Sequence, residues 1–414
     1  MMVTVDDLRI SFPRLRARID ALAELGATPE GGNARLALTD ADRDGRDLVV
    51  GWMRDLGARV EVDRIGNVVA TWPPDATAPP VMTGSHIDTV RNGGRYDGCL
   101  GVLAGLEVLE TLIAAGVETE HPVAVAFFTD EEGSRFTPDM LGSLVFAGGL
   151  PLEAALDAVA IDGAVLGGEL DRIGYAGPAP CPARPPRAFV ELHVEQGPVL
   201  EREATTIGAV TGVQGISWTE LTITGQSNHA GTTPMALRHD AGYVVAALGA
   251  AVRAYTAAVG PPLVGTIGRI ELAPNLVNVV PGRAVCTVDL RHTDEAVLSA
   301  AEAWLADTVD ALAAAEGVTV ERTPLARFAP VAFAEEVVDL VESTALDRGC
   351  TVRRMPSGAG HDAQMLARLC PAGMIFVPSV GGVSHNPAEH TADADLEAGA
   401  DVLLHTVLAL AGAR

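Results

Sequence analysis

Residues 81–98 read VMTGSHIDTVRNGGRYDG. An apolar run ends in His86, Ile87 and Asp88, and a glycine-rich turn then delivers Tyr96, Asp97 and Gly98. Leu100, Leu103, Leu106, Leu109 and Ile113 follow at helical spacing. A strand, a loop carrying imidazole and carboxylates, and a helix put metal-ligating residue types at the carboxyl end of a strand. Open α/β sheets gather their ligands at such ends.

Working outward, the same arrangement recurs. The run from Pro122 to Thr129 is apolar throughout, as a buried parallel strand is, and ends in Asp130, Glu131, Glu132 and Gly133. Ala188 to Val194, which contains His193, leads into Glu195, Gln196, Gly197 and Pro198. Ala372 to Pro378 precedes the polar loop Gly381 to Glu389, which contains His385, and a last helix starts at Asp393. Helical spacing is expected over 4–25 with an interruption near Pro13, and again after Thr39 and Asp40, which can cap a helix. Strands alternating with helices indicate an α/β class.

Between Gly212 and Pro330 the pattern changes to strand, helix, strand, strand, helix and strand, which suits a compact two-layer α+β unit resembling a ferredoxin-like fold. The expected organisation is a discontinuous domain, 1–212 and 330–414, split by an inserted domain at 213–329.

The chain has 414 residues, 48% of them hydrophobic and 20% charged, which suits a globular chain of two or three domains and argues against disorder. A formal net charge of −25 removes the basic face that nucleic-acid binding requires. The opening residues MMVTVDDLRISF have no signal-peptide core, and no stretch approaches the roughly 20 apolar residues of a membrane span. The expectation is therefore a cytoplasmic protein with neither nucleic acid nor membrane as a partner. Cys99, Cys181, Cys286, Cys350 and Cys370 are scattered with no CxxC pair and read as reduced thiols.

His86, Asp88, Asp97, Glu131, Glu132, His193 and His385 share a donor chemistry. Imidazole and carboxylate suit zinc, manganese, cobalt or nickel, and the lack of nearby cysteine argues against a thiolate structural zinc site. Asp97 can bridge two ions through its two oxygens, with His86 serving one ion and Glu132 the other. Asp88, two residues from His86, is placed to fix the imidazole by a hydrogen bond. Two adjacent glutamates fit a division of labour in which one ligates and the other accepts a proton from water. Asn228 to Gly231 form a polar loop, Asn275 and Asn278 flank a tight turn, and Arg291 ends a strand, where a guanidinium can clamp a carboxylate. His361 and Asp362 are read as opening a helix.

GSHIDTV, GGRYDG, FTDEEGSRF, ELHVEQGPVLE, GQSNHAGTTPM, PNLVNVVPG, SGAGHDAQM and FVPSVGGVSHNPAE occur in this order. From about residue 4 to residue 412 the chain resembles the M20-type metallohydrolases, and within them the amidase, hydantoinase and carbamoylase branch. The resemblance implies a mixed-sheet, zinc-peptidase-like catalytic domain with an inserted dimerisation and lid domain. It implies two divalent ions per subunit (zinc, manganese, nickel or cobalt). His86, Asp97 and His193 would hold one ion, and Asp97, Glu132 and His385 the other. Glu131 would be the general base and Asp88 would orient His86. His229 would polarise the substrate carbonyl in the site of a partner subunit, while Gln196, Asn278, Arg291 and Gly360 would bind the substrate.

The implied reaction is hydrolysis of the carbamoyl C–N bond of an N-carbamoyl-L-amino acid, a small ureido carboxylate, by a homodimer. Allantoate amidohydrolase and β-ureidopropionase activities are alternatives that share every metal residue. A peptidase or aminoacylase is disfavoured because His193 stands where peptidase relatives commonly place a carboxylate. A non-catalytic binding protein is disfavoured because the set of ligands is complete. His390 stands where this branch leads one to expect an aromatic residue, and no role is assigned to it.

Overall fold

A computed structural model of the chain describes residues 5–413. These fall into two compact units, one running up to Thr211 and resuming at Phe333, the other Gly212–Ala332.

The first unit is built on a mixed sheet. Its strands lie in the order Arg59–Val62, Val68–Trp72, Val123–Phe128, Val81–His86, Ala188–Val194, Ala372–Val377 and Ile207–Val213. The four strands from Val123–Phe128 to Ala372–Val377 run parallel, and the flanking strands pair antiparallel to them. Every residue of those four strands is buried; Val123–Phe128 and Ala372–Val377 accordingly read as unbroken apolar runs, while Val81–His86 and Ala188–Val194 bury Thr83, Ser85, Glu191 and their histidines as well. Each buried Val, Leu, Ile or Phe contributes roughly 1.5–3 kcal/mol, so the centre of the sheet is a stiff platform. Because these strands are parallel, their carboxyl ends lie together, and the polar loops predicted from the sequence leave from that one edge.

The helix Cys99–Ala115 packs on the sheet with thirteen buried residues. Its N-cap, Gly98, has φ 64°, and a Cβ there would lie 2.3 Å from His86 Nε2. Glycine is thus required by both the backbone and the imidazole. Pro13 occupies the first turn of the helix Phe12–Ala23, so it starts that helix and does not interrupt one. Thr39 caps Asp40–Asp55 by accepting the Asp42 N–H. Three short helices, Leu141–Phe146, Leu152–Leu156 and Leu166–Ile173, and the strand Ile207–Val213 were not anticipated. The helices are too short to show a period, and two glycines in the strand dilute its apolar signal.

The second unit is a four-stranded antiparallel sheet ordered Thr319–Phe328, Gly215–Thr224, Arg283–His292 and Val264–Ala273. The helices Ala241–Val259 and Glu295–Glu316 pack on it around a core that includes Leu221, Leu248, Cys286, Leu290 and Leu298. Each helix begins on an aspartate that accepts two backbone N–H groups, Asp240 and Asp294. Tyr255 and Trp304 stack between the helices at 4.1 Å.

Ala241–Val259 is 19 residues long and, by length and composition alone, apolar enough to cross a membrane. Its apolarity comes from alanine, glycine and valine, and it carries one charge, Arg253. Val244, Val245, Leu248 and Val252 face the sheet, while the exposed side carries Tyr243 and Val259.

Candidate metal centre

The strand Val81–His86 ends on His86, which is 1% exposed. Its Nδ1 lies 2.9 Å from the Asp88 carbonyl oxygen, which fixes the proton on Nδ1 and turns Nε2 inward as a lone pair. The Asp88 carboxylate is 3.8 Å from Nδ1 and does something else. Its two oxygens accept the backbone N–H groups of Glu131 and Glu132, each at 3.3 Å. The loop after the first strand thereby holds the loop after its neighbour.

Around His86 Nε2 lie Glu131 Oε2 at 3.2 Å and Asp97 Oδ1 at 3.6 Å. Neither contact has hydrogen-bond geometry, so Nε2 is a buried nitrogen without a partner. His193, at the end of the third parallel strand, is built the same way. Its Nδ1 lies 2.9 Å from the Val194 carbonyl, and its Nε2 is 3.2 Å from Asp97 Oδ1 and accepts the Gly98 N–H. Across Asp97, His385 Nε2 lies 3.4 Å from Oδ2 and 3.3 Å from Glu132 Oε2. Two sets of donors result, each with ligand atoms within 4.8 Å of one another: His86, Asp97 and His193, and Asp97, Glu132 and His385. Both use Asp97. An unsatisfied buried imidazole nitrogen facing carboxylates is what a divalent cation would complete, so the residues fit a metal.

The electrostatics point the same way. Burial acts to lower His86, but Glu131, Asp97 and Asp88 outweigh it and hold the imidazole well above its ordinary range. The hydrogen bond to Asp97 raises His385 to about 9. Burial pushes Glu131 well above the usual carboxylate range, opposed by His86 and reinforced by Asp362 and Glu132. Burial, followed by Asp97, raises Glu132 to about 8. Asp97 goes the other way, well below its usual value, because three histidines outweigh its burial. The cluster is built to hold positive charge between its carboxylates.

Several residues in the cluster had no assigned role from sequence. Glu389 Oε1 accepts the N–H groups of Tyr96 and Asp97 at 3.0 and 3.1 Å, which fixes the backbone that carries the shared carboxylate. Ser384 donates to Asp97 Oδ2 at 3.1 Å. Glu191 joins Ser85 to the Ala363 N–H, and His361 packs edge-on to His193 at 4.6 Å. A third potential set, Glu191, His193 and His361, has its glutamate oxygens already engaged by those hydrogen bonds.

Gln196 Nε2 donates to Asp97 Oδ2 at 2.9 Å, and its Oε1 is buried without a partner. A Cβ on Gly360 would lie 2.8 Å from the end of Met140, so its backbone is crowded on that side. Asp130, Gln196 and His385 all have left-handed backbone, with φ of 57°, 58° and 52°. His390 sits edge-on to Tyr96 at 6.2 Å, in the position where an aromatic residue was expected.

In the second unit, His229 and Asn278 come together, because Val279 pairs with His229 and the Ala230 N–H donates to the Asn278 carbonyl at 2.9 Å. His229 Nδ1 accepts the N–H groups of Gly231 and Thr232, so the ring proton sits on Nε2. Arg291 makes a two-pronged pair with Asp289 at 2.9–3.2 Å.

Imidazoles and carboxylates gathered at the carboxyl ends of parallel strands define an α/β protein with a candidate metal centre. A family model described as Peptidase family M20/M25/M40 matches residues 82–409, and the chain belongs to that family. It is 41% identical over 404 residues to an N-carbamoyl-L-amino-acid amidohydrolase of Rhizobium meliloti, covering 97% of each chain. It is 36% identical over 390 residues to the allantoate amidohydrolase of Escherichia coli, covering 92% of this chain and 94% of that one. The crystal structure of an amidase of the hydantoinase/carbamoylase family from Burkholderia multivorans superposes with a TM-score of 0.95 at 47% identity, covering 98% of each chain.

Proposed function

We propose that the protein hydrolyses the carbamoyl C–N bond of N-carbamoyl-L-amino acids, giving the amino acid, carbon dioxide and ammonia. The support is the full-length likeness to the Rhizobium meliloti enzyme, together with the shared carboxylate Asp97 between two sets of donors and an unshared Glu131 beside them. His86, Asp97 and His193 would hold one divalent ion and Asp97, Glu132 and His385 a second, drawn from zinc, manganese, nickel or cobalt. Bound there, such ions supply Lewis acidity, which polarises the carbonyl and makes water acidic enough to ionise near neutral pH.

The chain's own groups supply the rest. Glu131, 3.2 Å from His86 Nε2 and in neither set of donors, takes the proton of the attacking water and returns it to the departing amine nitrogen. Asp88 keeps Glu131 in place through its backbone N–H. His229, with its proton on Nε2, donates to the oxygen that gains charge during attack. Arg291, Asn278, Gln196 and the Gly360 backbone take the carboxylate and amide groups of the substrate.

His229 serves the site of a second copy, so the protein works as a homodimer. The second unit carries the exposed apolar surface this needs: Tyr243 and Val259 on the helix, Val264 and Ile270 on the edge strand Val264–Ala273. The five unpaired cysteines agree with a reducing compartment, and we place the enzyme in the cytoplasm.

The deciding measurement is ammonia release from N-carbamoyl-L-amino acids, N-carbamoyl-β-alanine and allantoate, after reconstitution with each metal. The highest kcat/KM is expected on an N-carbamoyl-L-amino acid. A clear preference for allantoate would move the protein to the activity named for the Escherichia coli relative, and turnover of dipeptides alone would remove the ureido reading.

A further inference from the structure

The stretch matched by the family model begins at residue 82, but the two loops that carry His86 and Glu131 are held by arginines from well before it. Arg35 is 1% exposed. Its Nε donates to the Ile87 carbonyl at 2.7 Å, the residue directly after His86. Its Nη1 donates to the Leu22 and Leu25 carbonyls at 2.9 and 2.6 Å, at the end of the first helix, and its Nη2 to Cys99 Sγ at 3.1 Å. The main chain of Arg35 is tied to the same loop, exchanging hydrogen bonds with Thr89 at 2.9 Å in both directions. Among the described residues no carboxylate pairs with this guanidinium; carbonyl oxygens carry the compensation.

Arg46 is fully buried. Its Nη2 donates to Thr129 Oγ1 at 3.2 Å, directly ahead of Asp130, Glu131 and Glu132, and its Nη1 to the Gly66 carbonyl at 2.7 Å. Asp42 orients it at 2.8 Å, and the rings of Phe127 and Tyr175 lie over the guanidinium at 5.5 and 5.2 Å. From the other side Arg135, in the loop after the glutamates, donates to the Ala37 carbonyl at 2.9 Å. Residues 35–46 are therefore stitched to both loops at once.

Burying two guanidinium groups is costly unless their donors are used, and here they are used on the backbone and hydroxyl groups that set where His86 and Glu131 begin. A salt bridge elsewhere would stabilise the fold equally well without touching these loops. We propose that Arg35 and Arg46 are positioning residues. Through the Ile87 carbonyl and Thr129 Oγ1, they fix the separation of His86 from Glu131, and with it both metal affinity and the proton transfer. This rests on the reading of His86 as a ligand and Glu131 as the base.

The test compares Arg35→Lys, Arg46→Lys and Thr129→Val with Arg18→Lys. Arg18 is a buried arginine that pairs with Glu107 and Glu110 and touches neither loop. Metal affinity is measured by competition with a chromophoric chelator, alongside melting temperature, kcat and KM. Lysine keeps the charge but cannot span two acceptors, and valine keeps the shape of threonine without its acceptor oxygen. The three loop variants are expected to lose about 10–100-fold in metal affinity and in kcat, as outer partners of metal ligands do. KM is expected to stay within about twofold, the mark of an interaction made in the transition state. Arg18→Lys is expected to lower the melting temperature without either loss.

If the arginine variants fail to fold, Thr129→Val decides for Arg46, since it leaves the other bonds of Arg46 in place, and Thr89→Val, which removes the hydroxyl that accepts the Arg35 backbone N–H, decides by the same measurements for residue 35. Folded loop variants with metal affinity and kcat near the parent's overturn the proposal. So does a loss in Arg18→Lys equal to theirs. A parent protein that binds no divalent metal would instead sink the metal-centre reading, and that is seen before any variant is compared.

Discussion

The two sets of donors share Asp97 and differ in their surroundings. In the inner set, His86 and His193 are each 1% exposed, both rings are locked by backbone carbonyls, and Gly98 lies flat against one of them. In the outer set, the His385 side chain is 50% exposed and sits on a loop, with no carbonyl fixing its ring among the hydrogen bonds described. The inner set brings two imidazoles to the common aspartate, and the outer set one imidazole and one carboxylate. They differ further in preorganisation. The inner position is part of the strand platform, and the outer one depends on how the loop Gly381 to Glu389 is held. An ion in the inner set should therefore bind more tightly and leave more slowly.

Breaking the inner set should have the largest effect. His193→Ala is expected to leave less than one tightly bound metal per chain by elemental analysis and to abolish turnover, whereas His385→Ala should keep about one. Equal stoichiometry in the two variants would erase the distinction. Glu131→Gln leaves both sets intact, so it should bind metal like the parent while kcat falls by about 10²–10⁴. Near-parental turnover would remove Glu131 as the base.

Gly98→Ala drives a Cβ onto the ring of His86, a residue that only the inner set contains. Its inner affinity should drop on the order of 10–100-fold, read by chelator competition. The smallest effect is expected for Glu389→Gln, which keeps one oxygen to accept from Tyr96 and Asp97. A loss of about 10-fold in kcat with metal retained would match a support role, and a lost outer ion would make it a closer partner than the contacts indicate.

The same contrast explains what could be read in the sequence. His86, Glu131 and Glu132 could be placed from the sequence at the ends of strands and His193 within one, while Asp97 follows a glycine-rich turn and is brought to them by the fold. His385 was reachable by the same route from Ala372–Val377. Glu389 was not, although it lies in the quoted NPAE segment. An acid in a polar loop looks like any solvated acid until its two backbone donors are seen. Arg35 and Arg46 were missed for a related reason. Sequence places arginines on surfaces, and only the fold reveals that these two are buried against carbonyls. The role expected of the Asp88 side chain belongs to its backbone oxygen, a swap that residue spacing cannot detect because both atoms sit in the same residue.

The left-handed backbone at Asp130, Gln196 and His385 has a consequence for how this chain can change. Each such residue costs on the order of 1–3 kcal/mol, which glycine would recover. A library selected only for resistance to heat should therefore accumulate glycine at these three positions and lose hydrolysis as it does so. Alternating that selection with one for activity should hold Gln196 and His385 in place, while glycine remains free to accumulate at left-handed positions with no assigned part in the reaction, such as Leu38 and Ala204.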